Sequence, residues 1–154
     1  MLSRLAFTLV FTGALLTGCA GTSPEAPPHV ILIFADDLGY GDLGVYGQQL
    51  IATPELDALA ASGVRMTQFY TGAAVCSPAR SALLQGRDTG HTWIRRNGEF
   101  PADLDVLPRR LRDAGYRTAM FGKWHLGHHP MFLPTRHGFD EWYGIPYSND
   151  MWPY

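Results

Sequence analysis

The feature that most constrains the fold is a continuous apolar run, Val-Ile-Leu-Ile-Phe at 30–34, which leads into two aspartates and a glycine-rich turn. An unbroken run of β-branched and other apolar side chains is typical of a strand that is covered on both faces, as the strands of parallel sheets are. Parallel strands need crossover connections between them, and these are usually helices. The sequence after this run is therefore expected to alternate helices with strands.

The rest of the chain carries this alternation. Thr53-Pro54-Glu55 has the residues of a helix start, with an N-cap threonine, a proline at the first helical position and an acid in the first turn, and Gly63 ends that helix. The pattern predicts an α/β fold, a mostly parallel sheet flanked by helices. The further predicted elements are helices at 77–86 and 106–114 and strands at 64–70 and 118–121, with no regular element beyond residue 127.

Polar residues directly follow the predicted strands. Asp36 and Asp37 come after the first strand, Lys123 and His125 come after the strand at 118–121, and Cys76 stands between a strand and a helix start. In open α/β sheets, ligands bind outside the carboxyl ends of the strands. We therefore expect these residues to meet at one edge of the sheet.

Each of these clusters also has a purely structural interpretation. The aspartate pair suits a turn as well as a divalent cation, which would relieve the repulsion between adjacent carboxylates. Cys76 could be a small core residue or a thiolate nucleophile at a helix N-terminus, and Arg80 could be a solvated surface arginine. Lys123 is the only lysine in the chain, which makes a structural role for Lys123 and the neighbouring His125 less expected.

The first residues are interpreted as a targeting sequence. Arg4 precedes a charge-free apolar run at 5–16, which is shorter than the ~20 residues of a membrane-spanning helix and suits a signal peptide. The run ends in Leu-Thr-Gly-Cys, which resembles the bacterial lipobox; a plain secretory signal is the alternative. We predict a lipoprotein signal peptide at 1–18, lipid attachment at Cys19, a flexible tether at 19–28 and export to the bacterial periplasm or outer membrane.

Composition excludes several classes of protein. A chain of 154 residues that is 46% hydrophobic and 17% charged fits one globular domain rather than a disordered or fibrous protein. A formal net charge of -2 gives no broad attraction to nucleic acid, and no nucleic-acid partner is expected. The two cysteines, Cys19 and Cys76, permit at most one internal disulfide, and each has another predicted use.

Three motifs stand in order along the chain. Residues 36–41 read Asp-Asp-x-Gly-x-Gly, residues 76–80 have the pattern C-x-P-x-R and continue as S-A-L-L-Q-G-R, and the third motif lies at 114–127. Together these motifs resemble the first metal motif and the two signatures of the type I, formylglycine-dependent sulfatase family. Residues 138–140 and 144–148 look most like arylsulfatases. The resemblance covers nearly all of 29–154.

The resemblance implies an alkaline-phosphatase-like α/β fold and hydrolysis of sulfate monoesters, either aryl or carbohydrate sulfates. By analogy, Asp36 and Asp37 would bind Ca²⁺ rather than Mg²⁺. A separate maturation enzyme would oxidise Cys76 to formylglycine, which would complete part of the metal shell. The hydrated aldehyde would then attack sulfur and displace the alcohol.

The resemblance also assigns roles to the remaining site residues. Arg80 would hold the formylglycine, and Lys123 would bind substrate by neutralising charge on the sulfuryl oxygens. His125 would take a proton from the second hydroxyl, so that sulfate is released. Ser148 would contact the substrate.

Length is where the chain departs from the family. Such sulfatases are several times longer, and their later metal ligands, a second histidine and a second lysine lie beyond residue 154. Residues 29–154 are therefore expected to be the N-terminal part of a truncated catalytic domain that is inactive alone. Two other interpretations remain: a phosphonate or phosphate ester hydrolase of the same superfamily, and a non-catalytic lipoprotein fragment that only binds.

Overall fold

The computed structural model describes residues 26–148. The chain divides into two units, of which the first ends at Phe34 and the second begins at Ala35. In the described part of the first unit, the apolar run at 30–34 is not a strand, and its side chains are between 39% and 85% exposed. The prediction of a buried strand is wrong here, because this run belongs to no strand ladder among the described residues and its apolar side chains are exposed.

The second unit contains three α-helices that confirm the predicted ones to within about a residue. Helix α1 has proline at its first position and ends before Gly63, as the sequence predicts. Helix α2 ends at Gly86, which adopts a left-handed conformation with φ 62° and donates its N–H to Leu83. The helices are α1 at Pro54–Ser62, α2 at Cys76–Gln85 and α3 at Leu107–Asp113.

The sheet of the described residues has two short parallel strands, β1 at Ala119–Phe121 and β2 at Glu141–Tyr143. Strand β1 lies where a strand was predicted, although it is less buried than expected because Phe121 is exposed. Strand β2 falls where no element was expected, since three residues are too few to show a period. The predicted strand at 64–70 is wrong: this exposed segment has no partner strand among the described residues.

Short 3₁₀ turns fill the remaining segments. Thr53 does not cap α1; its hydroxyl instead accepts a 2.8 Å hydrogen bond from the backbone N–H of Gly44, so that it joins the helix to a preceding turn. The 3₁₀ turns lie at Tyr40–Asp42, Gly44–Tyr46, Pro130–Phe132 and Pro134–Arg136. None of the helices in the described part of the chain has the length and apolar character needed to span a membrane.

The hydrophobic core lies beside the segment that leaves β1. Trp124 and Leu126 are buried in it. Lys123 and His125, which alternate with these two residues along the chain, are not part of that cluster. The core cluster consists of Ile94, Phe100, Val106, Trp124 and Leu126.

His137 is a structural histidine of this core. Its ring is fully buried, with centroids 5.2 Å from Trp124 and 5.3 Å from Phe100, and its Nε2 lies 3.2 Å from the carbonyl oxygen of Phe132. Burial lowers the pKa of His137 to about 4, because the charged imidazolium would lose its hydration. His137 is therefore neutral in the folded protein at neutral pH.

Candidate functional site

The site begins with a carboxylate held between two cations. Lys123 Nζ donates a 2.8 Å hydrogen bond to Asp36 Oδ2, and Arg80 Nη2 lies 3.5 Å from Asp36 Oδ1. The Lys123 and Arg80 side chains are only 10% and 11% exposed, whereas that of Asp36 is 39% exposed. Two positive charges are thus concentrated on the protein side of a carboxylate that solvent can reach.

These contacts shift the protonation equilibria toward the charged forms. The hydrogen bond from Lys123, aided by the charges of Lys123 and Arg80, lowers the pKa of Asp36 against the effect of partial burial. For Lys123 burial acts to lower the pKa, but the hydrogen bonds with Asp36 and Cys76 outweigh it, so the pKa is raised. Both groups are therefore ionised at neutral pH.

Arg80 joins two parts of the fold. It lies four residues into α2, and its Nη1 donates to the backbone carbonyl of Lys123, 43 residues along the chain. A guanidinium presents several donors in a rigid fork, which lets one side chain bind a carboxylate and a carbonyl together. Arg80 thereby holds the start of α2 against the segment that carries Lys123.

Asp36, Asp37 and Cys76 form the one cluster of potential metal ligands among the described residues. One ligand atom from each lies within 4.8 Å of the other two. Ca²⁺ and Mg²⁺ prefer oxygen ligands, so the two carboxylates fit either ion, whereas the sulfur of Cys76 does not. Position 76 would fit a hard cation once the sulfur is replaced by oxygen, as in formylglycine.

Two of the predicted site residues have unusual backbone conformations. Asp37 has φ 56° and His125 has φ 59°, and they are the only residues other than glycine with positive φ in the described part of the chain. Such conformations are uncommon for non-glycine residues and concentrate at functional sites, although Asp and His tolerate them better than most. The two positive-φ residues are therefore among those that the sequence predicted for the site.

His125 sits on the same segment as Lys123. Its ring packs edge-on against Tyr147 with centroids 4.7 Å apart, and its backbone N–H donates to the carbonyl of Pro146 at 3.1 Å. Two more backbone hydrogen bonds, from Gly122 to Tyr143 and from Trp124 to Ile145, extend this pairing. The arylsulfatase-like residues 144–148 therefore line the segment that positions Lys123 and His125.

The structure brings five predicted residues together around Asp36. The ligand cluster joins Asp36 to Asp37 and Cys76, and the ion pairs join Asp36 to Arg80 and Lys123. Ser148 is buried, and its contact with substrate stays a prediction. Cys19 lies outside the described residues. Sequence reasoning missed Tyr147 as the neighbour of His125, although Tyr147 belongs to a quoted motif. It also missed the pairing of Lys123 with Asp36. The prediction that both residues lie at one edge of the sheet could have suggested this pair.

Comparison with known proteins identifies the family. The sulfatase family model matches residues 28–154. The chain belongs to the sulfatase family. This sulfatase chain is 48% identical over 143 residues to arylsulfatase A of Bos taurus, a match that covers 87% of the chain and 28% of that protein. It is 44% identical over 143 residues to N-acetylgalactosamine-6-sulfatase of Canis lupus familiaris, covering 84% and 27%. The chain thus spans just over a quarter of the length of these relatives.

Solved structures agree on the fold. A structure described for the metabolism of multiple glycosaminoglycans by Bacteroides thetaiotaomicron matches with a TM-score of 0.70 and 33% identity, covering 76% of the chain and 28% of that protein. The crystal structure of Ps i-CgsB matches with a TM-score of 0.66 and 38% identity, covering 73% and 26%. The predicted α/β, alkaline-phosphatase-like fold is confirmed, and the described residues form part of such a domain.

Proposed function

We propose that this chain supplies the nucleophile and part of the metal site of a sulfuric ester hydrolase that cleaves sulfate monoesters. The observation that carries the proposal is the meeting of Cys76 with Asp36 and Asp37, beside the cations Lys123 and Arg80. Carboxylates, a nucleophile precursor and buried positive charge together suit transfer of an anionic sulfuryl group.

Asp36 and Asp37 would hold a divalent cation, which we propose to be Ca²⁺. When bound, the cation supplies positive charge that polarises the nucleophile and the sulfuryl oxygens. Ca²⁺ takes six to eight oxygen ligands in flexible geometry, whereas Mg²⁺ demands a near-ideal octahedron. An exposed pair of carboxylates on a glycine-rich turn fits the more permissive ion better.

Formylglycine made from Cys76 by a maturation enzyme would supply, when hydrated, two hydroxyls at position 76. One would act as the nucleophile toward sulfur, giving up its proton, while the ester oxygen would take up a proton and leave as the alcohol. His125 would take the proton of the second hydroxyl, so that the aldehyde re-forms as the carbon–oxygen bond to sulfate breaks. Lys123 offsets the negative charge on the sulfuryl oxygens, and Arg80 holds position 76 against the Lys123 segment.

Carbohydrate sulfates are the substrate class that the relatives favour. One relative is an N-acetylgalactosamine-6-sulfatase. Another solved sulfatase-like structure, with a TM-score of 0.57 and 37% identity, was obtained in complex with its substrate D-glucosamine-2-N,6-O-disulfate and covers 65% of this chain and 19% of that chain. We propose a sulfated sugar as the natural substrate, with aryl sulfates as convenient surrogates.

Export and membrane attachment complete the proposal. The lipobox-like end of the apolar run supports lipid attachment at Cys19, which would place the sulfatase at the periplasmic or outer membrane of a bacterium. The exported protein would then act on sulfate esters outside the cytoplasm.

The decisive experiment is mass spectrometry of the peptide that contains Cys76, after expression with a maturation enzyme. We expect a mass below that of the thiol form and reaction with a hydrazide probe. The same protein is assayed on an aryl sulfate, an aryl phosphate and a phosphonate ester, with Cys76→Ala as the matched control. A thiol-only peptide, or turnover confined to the phosphorus esters, would contradict the proposal.

A further inference from the structure

A cleft lies at the opposite end of α2 from the candidate active site. Its volume is about 760 Å³, which is within the range of about 300–1,000 Å³ for ligand sites. Its lining includes Gln85, the last residue of α2, whereas Cys76 is the first. Because a helix rises about 1.5 Å per residue, the two ends are about 14 Å apart, and the cleft is distinct from the Cys76 cluster.

The loop that forms one wall of the cleft alternates in burial. Thr92 and Ile94 are buried, whereas Trp93 and Arg95 are exposed. Ile94 belongs to the hydrophobic core, so the alternation directs Trp93 and Arg95 to the opposite, outer side. Trp93 is 59% exposed, although tryptophan is a residue that proteins bury on average.

Hydrogen bonds hold this loop in place without a ligand. The backbone N–H of Trp93 donates to Gln85 Oε1 at 2.7 Å, and the Thr92 hydroxyl donates to the same oxygen at 2.8 Å. The Thr92 and Ser81 hydroxyls lie 2.6 Å apart, and the Ile94 N–H donates to Ser81. A ligand would therefore bind to a preorganised wall and would bear little of the cost of ordering it.

The charge of the cleft is positive, against the overall charge of the chain. Arg87, Arg95 and Arg96 line it, together with Glu99 and Asp105. The Asp105 carboxylate is already bound by the guanidinium of Arg110, which leaves Glu99 as the acid without such a partner. Within residues 26–148, Arg95 and Arg96 make no side-chain hydrogen bond or ion pair, so both guanidinium groups are available to an anion.

We propose that this Trp93–Arg96 cleft, defined by Trp93, Arg95 and Arg96, binds a sulfated glycan at a site separate from Cys76. Guanidinium groups pair with oxyanions through two parallel hydrogen bonds, and the exposed indole offers a flat apolar face to the C–H face of a sugar ring. The choice of sulfate as the anion rests on the proposed sulfatase function. Nucleic acid would present phosphate oxyanions to the same guanidinium groups, so the test below includes a single-stranded DNA.

The test measures binding of a heparin-derived octasaccharide to the longest natural chain that contains these residues, by titration calorimetry. We expect Arg95→Ala/Arg96→Ala to weaken binding by about tenfold or more and to reduce its salt dependence. Trp93→Ala should also weaken it. Arg112→Ala, which removes an exposed arginine from α3, is the matched control and should bind like the unchanged protein, and the chemically desulfated octasaccharide should not bind.

Two outcomes would overturn the inference. In the first, the octasaccharide does not bind, or its affinity is the same after replacement of Trp93, Arg95 and Arg96. This would follow if another part of the natural chain covers these residues. The other is a single-stranded DNA octamer that binds as tightly as the octasaccharide and loses the same affinity in the Arg95→Ala/Arg96→Ala variant. Either result would remove the specific sulfated-glycan site.

Kinetic measurements separate this inference from the catalytic proposal. They also show whether the cleft binds part of the substrate's own glycan chain or a separate glycan. Turnover of a small aryl sulfate should be unchanged in Arg95→Ala/Arg96→Ala, since the cleft is remote from Cys76. If one glycan chain spans both sites, the variant raises the KM for a sulfated oligosaccharide but not for the aryl sulfate. If the cleft binds a separate glycan, both KM values stay unchanged while binding is lost. If the octasaccharide binds but the matured protein with its original residues turns over no sulfate ester, only the catalytic proposal is contradicted.

Discussion

Lys123 Nζ and Asp36 Oδ2 lie 2.8 Å apart, although 87 positions separate the residues in the chain. The pair joins the turn before α1 to the segment after β1. In this pair, a carboxylate proposed as a metal ligand is bound by a lysine that is proposed to bind the sulfuryl group. A cation at Asp36 would compete with Lys123 for the same carboxylate, and would thereby release the ammonium toward an incoming sulfate ester.

Replacing Lys123 is expected to lower kcat strongly, with a smaller effect on the free energy of unfolding. Lys123→Ala removes a preorganised charge, and the loss of one such group costs about 10²- to 10³-fold in kcat. Kinetics on an aryl sulfate, with the matured natural protein, measures the effect. Arg112→Ala on α3 removes an equal charge away from the site and should leave kcat unchanged. A Lys123→Ala protein with the original kcat would show that this lysine does not meet the reacting group.

Removal of the divalent cation is expected to abolish turnover reversibly. Treatment with EGTA should stop hydrolysis of the aryl sulfate, and Ca²⁺ should restore it better than Mg²⁺, because an open carboxylate pair tolerates irregular coordination. Asp37→Asn should raise the Ca²⁺ concentration needed for half activity, since asparagine keeps the shape and tolerates φ 56° but lacks the charge. Asp113→Asn, on the exposed end of α3, is the matched control. Full activity in EGTA would refute the metal assignment.

The site could be predicted from sequence more completely than the sheet. Asp36, Asp37, Cys76, Arg80 and Lys123 were chosen because polar residues at strand ends and helix starts meet at one sheet edge, and the structure brings them together. Helix ends were predictable because caps such as Gly63 and Gly86 act locally. Strands depend on partners distant in sequence, which explains why the runs at 30–34 and 64–70 form no strand within the described residues and why β2 was missed.

Acid is expected to destabilise the fold through His137. The folded pKa is about 4, below the ordinary value of 6.5, so the unfolded chain binds a proton that the native protein does not. The stabilisation is present above pH 6.5 and is lost as the pH falls toward 4. Between pH 7 and pH 5 this amounts to about 2 kcal/mol in the free energy of unfolding.

Urea unfolding of the natural protein at these two pH values checks the effect of His137. The variant His137→Phe, which keeps a ring between Phe100 and Trp124, should lose less stability between pH 7 and pH 5 than the original protein. The exposed histidine His129 provides the matched control, and His129→Gln should keep the original pH dependence. An identical pH dependence in His137→Phe would assign the acid sensitivity to other groups.

Lipid attachment is expected at Cys19, on the evidence of the Leu-Thr-Gly-Cys sequence that follows the apolar run. Metabolic labelling with a fatty acid in a bacterial host should mark the protein, and Cys19→Ala should remove the label. Cys76→Ala retains Cys19 and is the matched control, so it should remain labelled. A Cys19→Ala protein that still carries the label would overturn the anchor.

The last expectation is that residues 1–154, expressed alone, do not turn over sulfate esters. Among the described residues the metal cluster offers three ligand positions, Asp36, Asp37 and position 76, whereas Ca²⁺ takes six to eight ligands. Large apolar side chains are also exposed within the second unit, including Phe69, Tyr70 and Phe121. Exposed apolar surface of this kind favours aggregation over a rigid catalytic site.

An aryl sulfate assay compares this 154-residue chain with the longest natural chain that contains it, both produced with the maturation enzyme and supplied with Ca²⁺. Light scattering at equal concentration should show association of the short chain. Cys76→Ala in each length sets the background rate. Comparable turnover by the two lengths, above that background, would mean that the three ligand positions and the cations Arg80 and Lys123 suffice for catalysis, and that the exposed apolar side chains do not prevent a folded site.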